Sequence, residues 1–352
     1  MKRFLAKAVS SLIPNKVLRK RVRNALIGYE KPYCIRHKTY GKIYMPYYNK
    51  AALIGNEAPD IYNKFGQKMQ TFFLRDLHSA HMPGHNFSKY FLFDRFDIGL
   101  DVHFYSHNAM LEQMGNPEKR YGVLIETPAM VPQDYKIFKK HKTLADDFDA
   151  IFTFDAEILE SVKNAKFVPF CADLGVFYPQ GFADENRFLR KTKNVSMISS
   201  HKRACAMHNL RYDLAWACKR LNEVDTFGTF DGGARVDSLA DVYDAYRYSV
   251  IVENDIRPYQ FSERIIAAFA AQTVPIYIGA TKIDDFFNGK GIIKVSPENA
   301  EAEIAKIATM CGESDYAERL DAVKDNFLRA KKYANVFDTL YEDFLKKDIG
   351  IK

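Results

Sequence analysis

The chain has one tryptophan, five cysteines and no long apolar run. The cysteines (Cys34, Cys171, Cys205, Cys218, Cys311) are odd in number and scattered, with no CxxC pair. That excludes a disulfide framework and a cysteine-based structural zinc site, and it points to a reducing compartment. The most apolar stretch, 265–278, is interrupted by Gln272, Thr273 and Pro275. It falls short of the roughly 18 to 20 apolar residues that cross a bilayer. The stretch from Leu5 to Ile13 is too broken for the apolar region of a signal peptide. Internal repeats and low-complexity tracts are also missing, so solenoids and disordered linkers are excluded. Acidic residues are scarce in the first fifty positions, where Glu30 stands alone against thirteen Lys and Arg, a local net charge of +12. The whole chain is +7, from 51 basic and 44 acidic residues, so the remainder is net −5.

With 352 residues, 47% of them hydrophobic, the chain is long enough for two globular domains. Its basic segment interleaves apolar residues at helical spacing: Leu5, Val9, Leu12 and Ile13, then Leu18, Val22, Ala25 and Leu26 beyond Pro14. Such faces either lie on an anionic membrane or pack on their own domain. Few aromatics accompany the charges, which argues against a nucleic-acid partner. His78, His81 and His85 sit in HSAHMPGH. Pro83 and Gly84 break any helical register there and no carboxylate or cysteine pattern completes a metal site, so a polar loop is expected.

From about residue 70 onward, short apolar strands alternate with longer amphipathic segments, the signature of an α/β chain. Strands are expected at 71–74, 90–93, 121–126, 150–154 and 166–170, then at 194–199, 223–227, 248–253, 274–279 and 292–295. Helices are expected over 203–221, 237–245 and 262–271, with two more closing the chain. Residues 178–193 (YPQGFADENRFLRKTK) are polar and turn-rich and read as a linker, with a domain boundary near 185.

Parallel sheets bind ligands beyond the carboxyl ends of their strands. Three strand ends therefore stand out. Ser199, Ser200, His201, Lys202 and Arg203 lead into a helix carrying Arg211, a combination suited to phosphate. The strand ending in Glu253 and Asn254 is followed by Tyr259, Gln260, Phe261 and a helix opened by Ser262, Glu263 and Arg264. With Arg247, these carboxylates and guanidiniums suit ribose hydroxyls and a pyrophosphate, or equally a salt-bridged helix start. Glu126 ends a third strand beside Thr127 and Pro128, and on spacing alone it is either a partly desolvated general base or equally a solvated strand-end carboxylate.

The run from Tyr246 to Ile293 resembles the donor-binding signature of glycosyltransferase family 10, the alpha-1,3-fucosyltransferases, through Val252-Glu253-Asn254, Ser262-Glu263-Arg264, Val274-Pro275-Ile276 and Gly279. Residues 197–228 are similar to the family's strand, serine, basic residue and Phe-Gly segment, and 122–138 look like the segment bearing its proposed base. The resemblance implies a GT-B fold, two Rossmann-like α/β domains facing a cleft. It divides this chain into a basic amphipathic segment (1–30), an acceptor-binding domain (31–185), a nucleotide-sugar donor domain (186–330) and a helix returning to the first domain (331–352).

It further implies an inverting, fucosyltransferase-like enzyme that moves a sugar, L-fucose from GDP-fucose, to a hydroxyl of a glycan or glycolipid acceptor in surface polysaccharide or lipopolysaccharide synthesis. The alternatives are another nucleotide-sugar donor or a non-catalytic nucleotide-binding protein. Carried across residue by residue, Glu126 matches the general base, Arg211 the donor-phosphate arginine, Asn254 the nucleotide-pocket amide and Glu263 the ribose-holding acid. Lys202, Glu253, Tyr259 and Arg264 complete the donor site, Arg264 standing where the family usually has lysine. Neither a cofactor nor a metal is required. A cytoplasmic enzyme, peripheral at the inner membrane face through residues 1–26, is the resulting expectation.

Overall fold

The computed structural model describes residues 8–14, 18, 19, 22, 34–37, 41–44, 70–76, 88–94, 98–169 and 174–349. Most of the basic segment, His78, His81, His85 and Cys171 lie outside the described residues. An antiparallel hairpin, β1 (Cys34–His37) and β2 (Gly41–Tyr44), comes first. The sequence pattern did not announce it.

The first large sheet has six strands: β3 (Gln70–Arg75), β4 (Phe91–Asp94), β5 (Val102–Ser106), β6 (Lys119–Leu124), β7 (Ala150–Thr153) and β8 (Ala165–Phe167), in the order β4-β3-β5-β6-β7-β8. β3 runs parallel to both β4 and β5, and β5 to β6. Strands covered on both faces read as continuous apolar runs, and β5 and β7 are buried at every position. Across five of these strands Phe91, Phe72, Phe104, Tyr121 and Phe152 form a row of rings, neighbouring centroids 4.8, 5.7, 5.1 and 5.5 Å apart. Offset and tilted rings at such spacing add to the burial energy of each pair.

The second sheet has β9 (Lys193–Ile198), β10 (Val224–Phe227), β11 (Tyr246–Val252), β12 (Val274–Ile278) and β13 (Ile293–Lys294), in the order β10-β9-β11-β12-β13, parallel throughout. The helices that matter below are α1 (Ala156–Ser161), α2 (Ala206–Lys219), α3 (Glu263–Ala270), α4 (Ala300–Met310) and α5 (Leu320–Ala330). Alternate residues of β11 and β12 serve opposite faces. Ile251 and Tyr277 pack with Ile265, Ile266 and Phe269 of α3. Val250, Val252, Ile276 and Ile278 pack with Leu214 and Cys218 of α2, Ile304 of α4 and Val323 of α5. The expected α/β class with two wound parallel sheets is what the chain forms.

The chain divides into two compact units, residues 1–124 with 136–152, and residues 125–135 with 153–352. The expected linker, 178–193, therefore lies inside the second unit. Its polar residues are used as structure: buried Arg187 donates to the Ala270 carbonyl (2.8 Å) at the end of α3, and Gln272 Oε1 accepts from the Phe188 N–H (2.7 Å). A cation at a helix C-terminus satisfies both a free carbonyl and the dipole. The segment 331–352, expected to return to the first domain, is counted with the second unit, where Tyr333 packs on Phe261 and Phe287.

Candidate active site

Sequence order and spatial order disagree at one place in the second sheet. β9 is followed by β10 on one side and β11 on the other, so the winding reverses between β9 and β11. The two neighbouring strand ends there are left with diverging connections, and the crevice outside them is where ligands bind in such sheets. The loops that meet at this edge approach closely. Gly228, just past β10, has φ +96°, and a Cβ on it would lie 2.1 Å from the Ser199 carbonyl oxygen. His201 Nδ1 lies 3.1 Å from Thr229 Oγ1.

The first turn of α2 sends polar side chains inward. Arg211 and His208 are each 5% exposed. Residues three apart share a helix face. Here that face looks onto the end of β11, where a backbone carbonyl has outrun its sheet partners. Arg211 Nε donates to the Val252 carbonyl (2.8 Å), as does Nη2, which also donates to Asn254 Oδ1 (2.8 Å). His208 Nε2 contacts the same Oδ1 at 3.0 Å. A guanidinium only donates, so the atom it meets on Asn254 is the oxygen. His208 must then donate through Nε2–H, which leaves Nδ1 bare; that atom is buried and makes no hydrogen bond among the described residues. Burial and the neighbouring Arg211 lower the His208 pKa, with Arg264 and Lys202 adding to the effect. Burial, then Arg264, brings Arg211 down to about 9.

Glu253 is completely buried. Its Oε1 accepts the Ser262 N–H (3.0 Å) at the start of α3 and lies 3.4 Å from the Tyr277 hydroxyl, while Oε2 makes no hydrogen bond among the described residues. Burial pushes its carboxyl above the usual range, opposed by the Ser262 contact and Arg264. Gly279 makes room for it, since a Cβ there would lie 2.5 Å from Glu253 Cγ and 2.4 Å from the Tyr277 hydroxyl oxygen. Ser262 caps α3 by accepting from the Arg264 N–H. Glu263 and Arg264 follow, 14% and 26% exposed, with Oε1 and Nη1 3.9 Å apart. Lys202 is exposed in the loop after β9.

Lys202, Arg211, Glu253, Asn254, Glu263 and Arg264 thus gather at one sheet edge, each within electrostatic reach of another. Tyr259 stands apart from them, its ring 5.4 Å from Phe167 and its hydroxyl 3.3 Å from Lys282 Nζ. Arg247 does not join. It lies at the amino end of β11, donating to Asn194 Oδ1 and facing Glu313. Seven residues of strand at about 3.3 Å each separate it from Asn254.

Glu126 is half-buried just beyond β6. Its Oε1 accepts its own neighbour's N–H at Thr127 (2.8 Å), and its carbonyl accepts from the buried Tyr135 hydroxyl (2.6 Å). Tyr135 is held protonated by burial first, with Asp155 and Glu126 reinforcing this and Arg257 opposing it. Arg257, in the loop after β11, faces Asp155 (3.5 Å), the residue that caps α1, and pairs with Asp255 (3.0 Å). Glu126 and the loop following β11 are therefore linked through Tyr135, Asp155 and Arg257 within one unit.

Sequence reasoning missed His208, Tyr243, Tyr135 and Arg257. Tyr243 is fully buried, its hydroxyl makes no hydrogen bond among the described residues, and burial raises its pKa among Arg264, Glu263 and Glu253. The three-residue step from His208 to Arg211 was the available signal. At the analogous reversal in the first sheet, between β3 and β5, Ser106 donates to Asp76 Oδ1 (2.8 Å) and His107 takes φ +55°.

No family model matches the chain, and no curated protein matches it in sequence. Among solved structures it is similar to an alpha1,3-fucosyltransferase at 16% identity, covering 77% of this chain and 86% of that one with TM-score 0.44. It is also similar to Anabaena Alr3699/HepE in complex with UDP-glucose, at 11% identity, 80% and 100% coverage and TM-score 0.49. A third is an alpha,alpha-trehalose-phosphate synthase (UDP-forming) from Burkholderia xenovorans in complex with glucose-6-phosphate, at 12% identity, 70% and 73% coverage and TM-score 0.45.

Proposed function

We propose that the protein is an inverting glycosyltransferase whose nucleotide-sugar donor binds at the carboxyl edge of the second sheet, between the ends of β9 and β11. The observation that carries this reading is the gathering of Lys202, Arg211 and Arg264 around Asn254, Glu253 and Glu263 at the winding reversal. A diphosphate is the group that such a concentration of positive charge fits. Arg211 acts through its charge and by fixing Asn254, three of its five N–H donors serving Val252 and Asn254. Lys202 and Arg264 are the more exposed cations and would meet the phosphates. Glu263 suits ribose hydroxyls.

In the proposed reaction Glu126 takes the proton from an acceptor hydroxyl as its oxygen forms a bond to the anomeric carbon. The bond from that carbon to the diphosphate breaks at the same time, and its electron pair leaves with the nucleoside diphosphate toward Lys202 and Arg264. Attack opposite the leaving group inverts the centre. The sequence resemblance favours GDP-fucose as donor and a glycan or glycolipid as acceptor, with residues 1–26 holding the enzyme to the inner face of the membrane.

Glu126→Gln tests the enzyme reading. Loss of a general base costs about 10²- to 10⁴-fold in rate. Turnover of GDP-fucose should fall by that much while thermal stabilisation by GDP persists. Undiminished turnover removes Glu126 as base. Stabilisation by UDP in place of GDP replaces the donor, and no stabilisation by any nucleotide removes the reading.

A further inference from the structure

We propose that His208 couples binding of the donor's pyrophosphate to the uptake of one proton at its Nδ1. The inference rests on the nucleotide-sugar reading above and adds to it a regulation of that site by pH. It begins from geometry. Asn254 Oδ1 is shared by Arg211 Nη2 and His208 Nε2, at 2.8 and 3.0 Å, and this double use fixes the neutral tautomer with the proton on Nε2. Nδ1 is left buried without a hydrogen bond among the described residues, in a residue only 5% exposed. An imidazole so placed has one nitrogen committed and one open to a proton.

The charged and titratable groups around it come from each neighbouring element. Arg211 lies on the same helix, Lys202 on the loop after β9, and Arg264 on α3; Arg211 in turn faces Glu253, Glu263 and Cys205. In the free protein burial and the three cations keep His208 neutral. A bound pyrophosphate diester brings two negative charges among those same cations and offsets the part of the depression that they cause. The imidazole then gains a proton from solvent, and its new charge adds to the attraction for the phosphates. By linkage, donor affinity is highest at acid pH and falls as pH rises through the window between the free and bound pKa values. The slope can reach tenfold per pH unit for a single coupled proton.

The test is isothermal titration of GDP-fucose into the full chain between pH 5.5 and 8, in pairs of buffers that differ in ionisation enthalpy. A nucleotide sugar is the appropriate probe, because free GDP has a terminal phosphate that itself titrates near about pH 6. Wild type should lose about fivefold or more in affinity across this range, and the buffer dependence of its binding enthalpy should show protons taken up. His208→Gln retains an N–H able to reach Asn254 Oδ1 and cannot be protonated, so its pH slope and proton uptake should vanish. Binding without proton uptake in wild type overturns the proposal while leaving the nucleotide reading standing. An equal slope in His208→Gln also overturns it. Absence of binding by GDP-fucose and other nucleotide sugars at every pH removes both. The wild-type proton count needs no variant, so a misfolded His208→Gln does not spoil the test.

Discussion

Replacing Arg211 by lysine should lower the stability of the second unit as well as any ligand affinity, because this arginine is first a clamp on the protein itself. Two of its nitrogens donate to the Val252 carbonyl and one of these also reaches Asn254 Oδ1, all behind a surface only 5% exposed. A lysine ammonium is a point donor and cannot span both acceptors with the geometry of the guanidinium fork. At least one charge-assisted bond is lost, worth about 1.5–3 kcal/mol, and a buried acceptor is left short of a partner at a further cost of about 1–3 kcal/mol. We expect a net loss of about 3 kcal/mol, or roughly 6–12 °C in melting temperature for a unit of this size. The assay is thermal unfolding followed by far-ultraviolet circular dichroism, with and without GDP. A melting temperature within about 2 °C of wild type, together with lost stabilisation by GDP, would refute the clamp. It would mean that Arg211 reaches outward to the ligand.

Gly279→Ala places a methyl group against buried Glu253 and Tyr277, 2.4–2.5 Å from their atoms, and should cost about 1–3 kcal/mol, read as a lower urea midpoint. An unchanged midpoint would show that these two side chains yield. His103 is wholly buried and its pKa is lowered to about 4, chiefly by burial. Between pH 4 and the unfolded value of about 6.5 the unfolded chain binds more protons. Stability should therefore fall by up to about 3 kcal/mol as pH drops through that window. Urea titrations at pH 7 and 4.5 should show the loss, reduced in His103→Gln, and an equal loss in both would assign it elsewhere. Residues 8–11 are helical with Val9 and Leu12 exposed, 50% and 83%, inside the basic segment. Salt-sensitive flotation with anionic liposomes is expected and should disappear on deleting residues 1–26; equal binding by the truncated chain would defeat the anchor.

The parts of the fold legible in the sequence were those whose burial is uniform. β11 and β12, with α3 between them, are apolar at nearly every position because both sheet faces are covered, and their limits could be placed within a few residues. β5 was missed although all five of its residues are buried. Its sequence VHFYS carries polar groups whose partners are remote or themselves polar: Tyr105 accepts the Met114 N–H and donates to the Met114 carbonyl, leaving His103 Nδ1 to donate to Tyr105, and Ser106 reaches Asp76. Local pattern cannot show that a histidine is paired through Nδ1 inside a core. The segment 178–193 was misread for the same reason, since Arg187 looks solvated until the Ala270 carbonyl is known to face it.

The site repeats this lesson with the sign reversed. At the amino end of α2 Met207 and Leu210 pack half-buried on the core, and the fully buried positions are His208 and Arg211. The reason is the sheet edge itself. Where β11 ends, Val252 offers a carbonyl that no strand completes, and an apolar side chain placed there would leave it unpaired. A guanidinium satisfies it and carries a charge into the same spot. The arginine that the strand end needs for stability is thus also one that attracts an anion. That double demand brings Arg211 to Asn254 across 43 residues of sequence, while Arg247, equally basic and nearer in sequence to Asn254, sits at the wrong end of the strand.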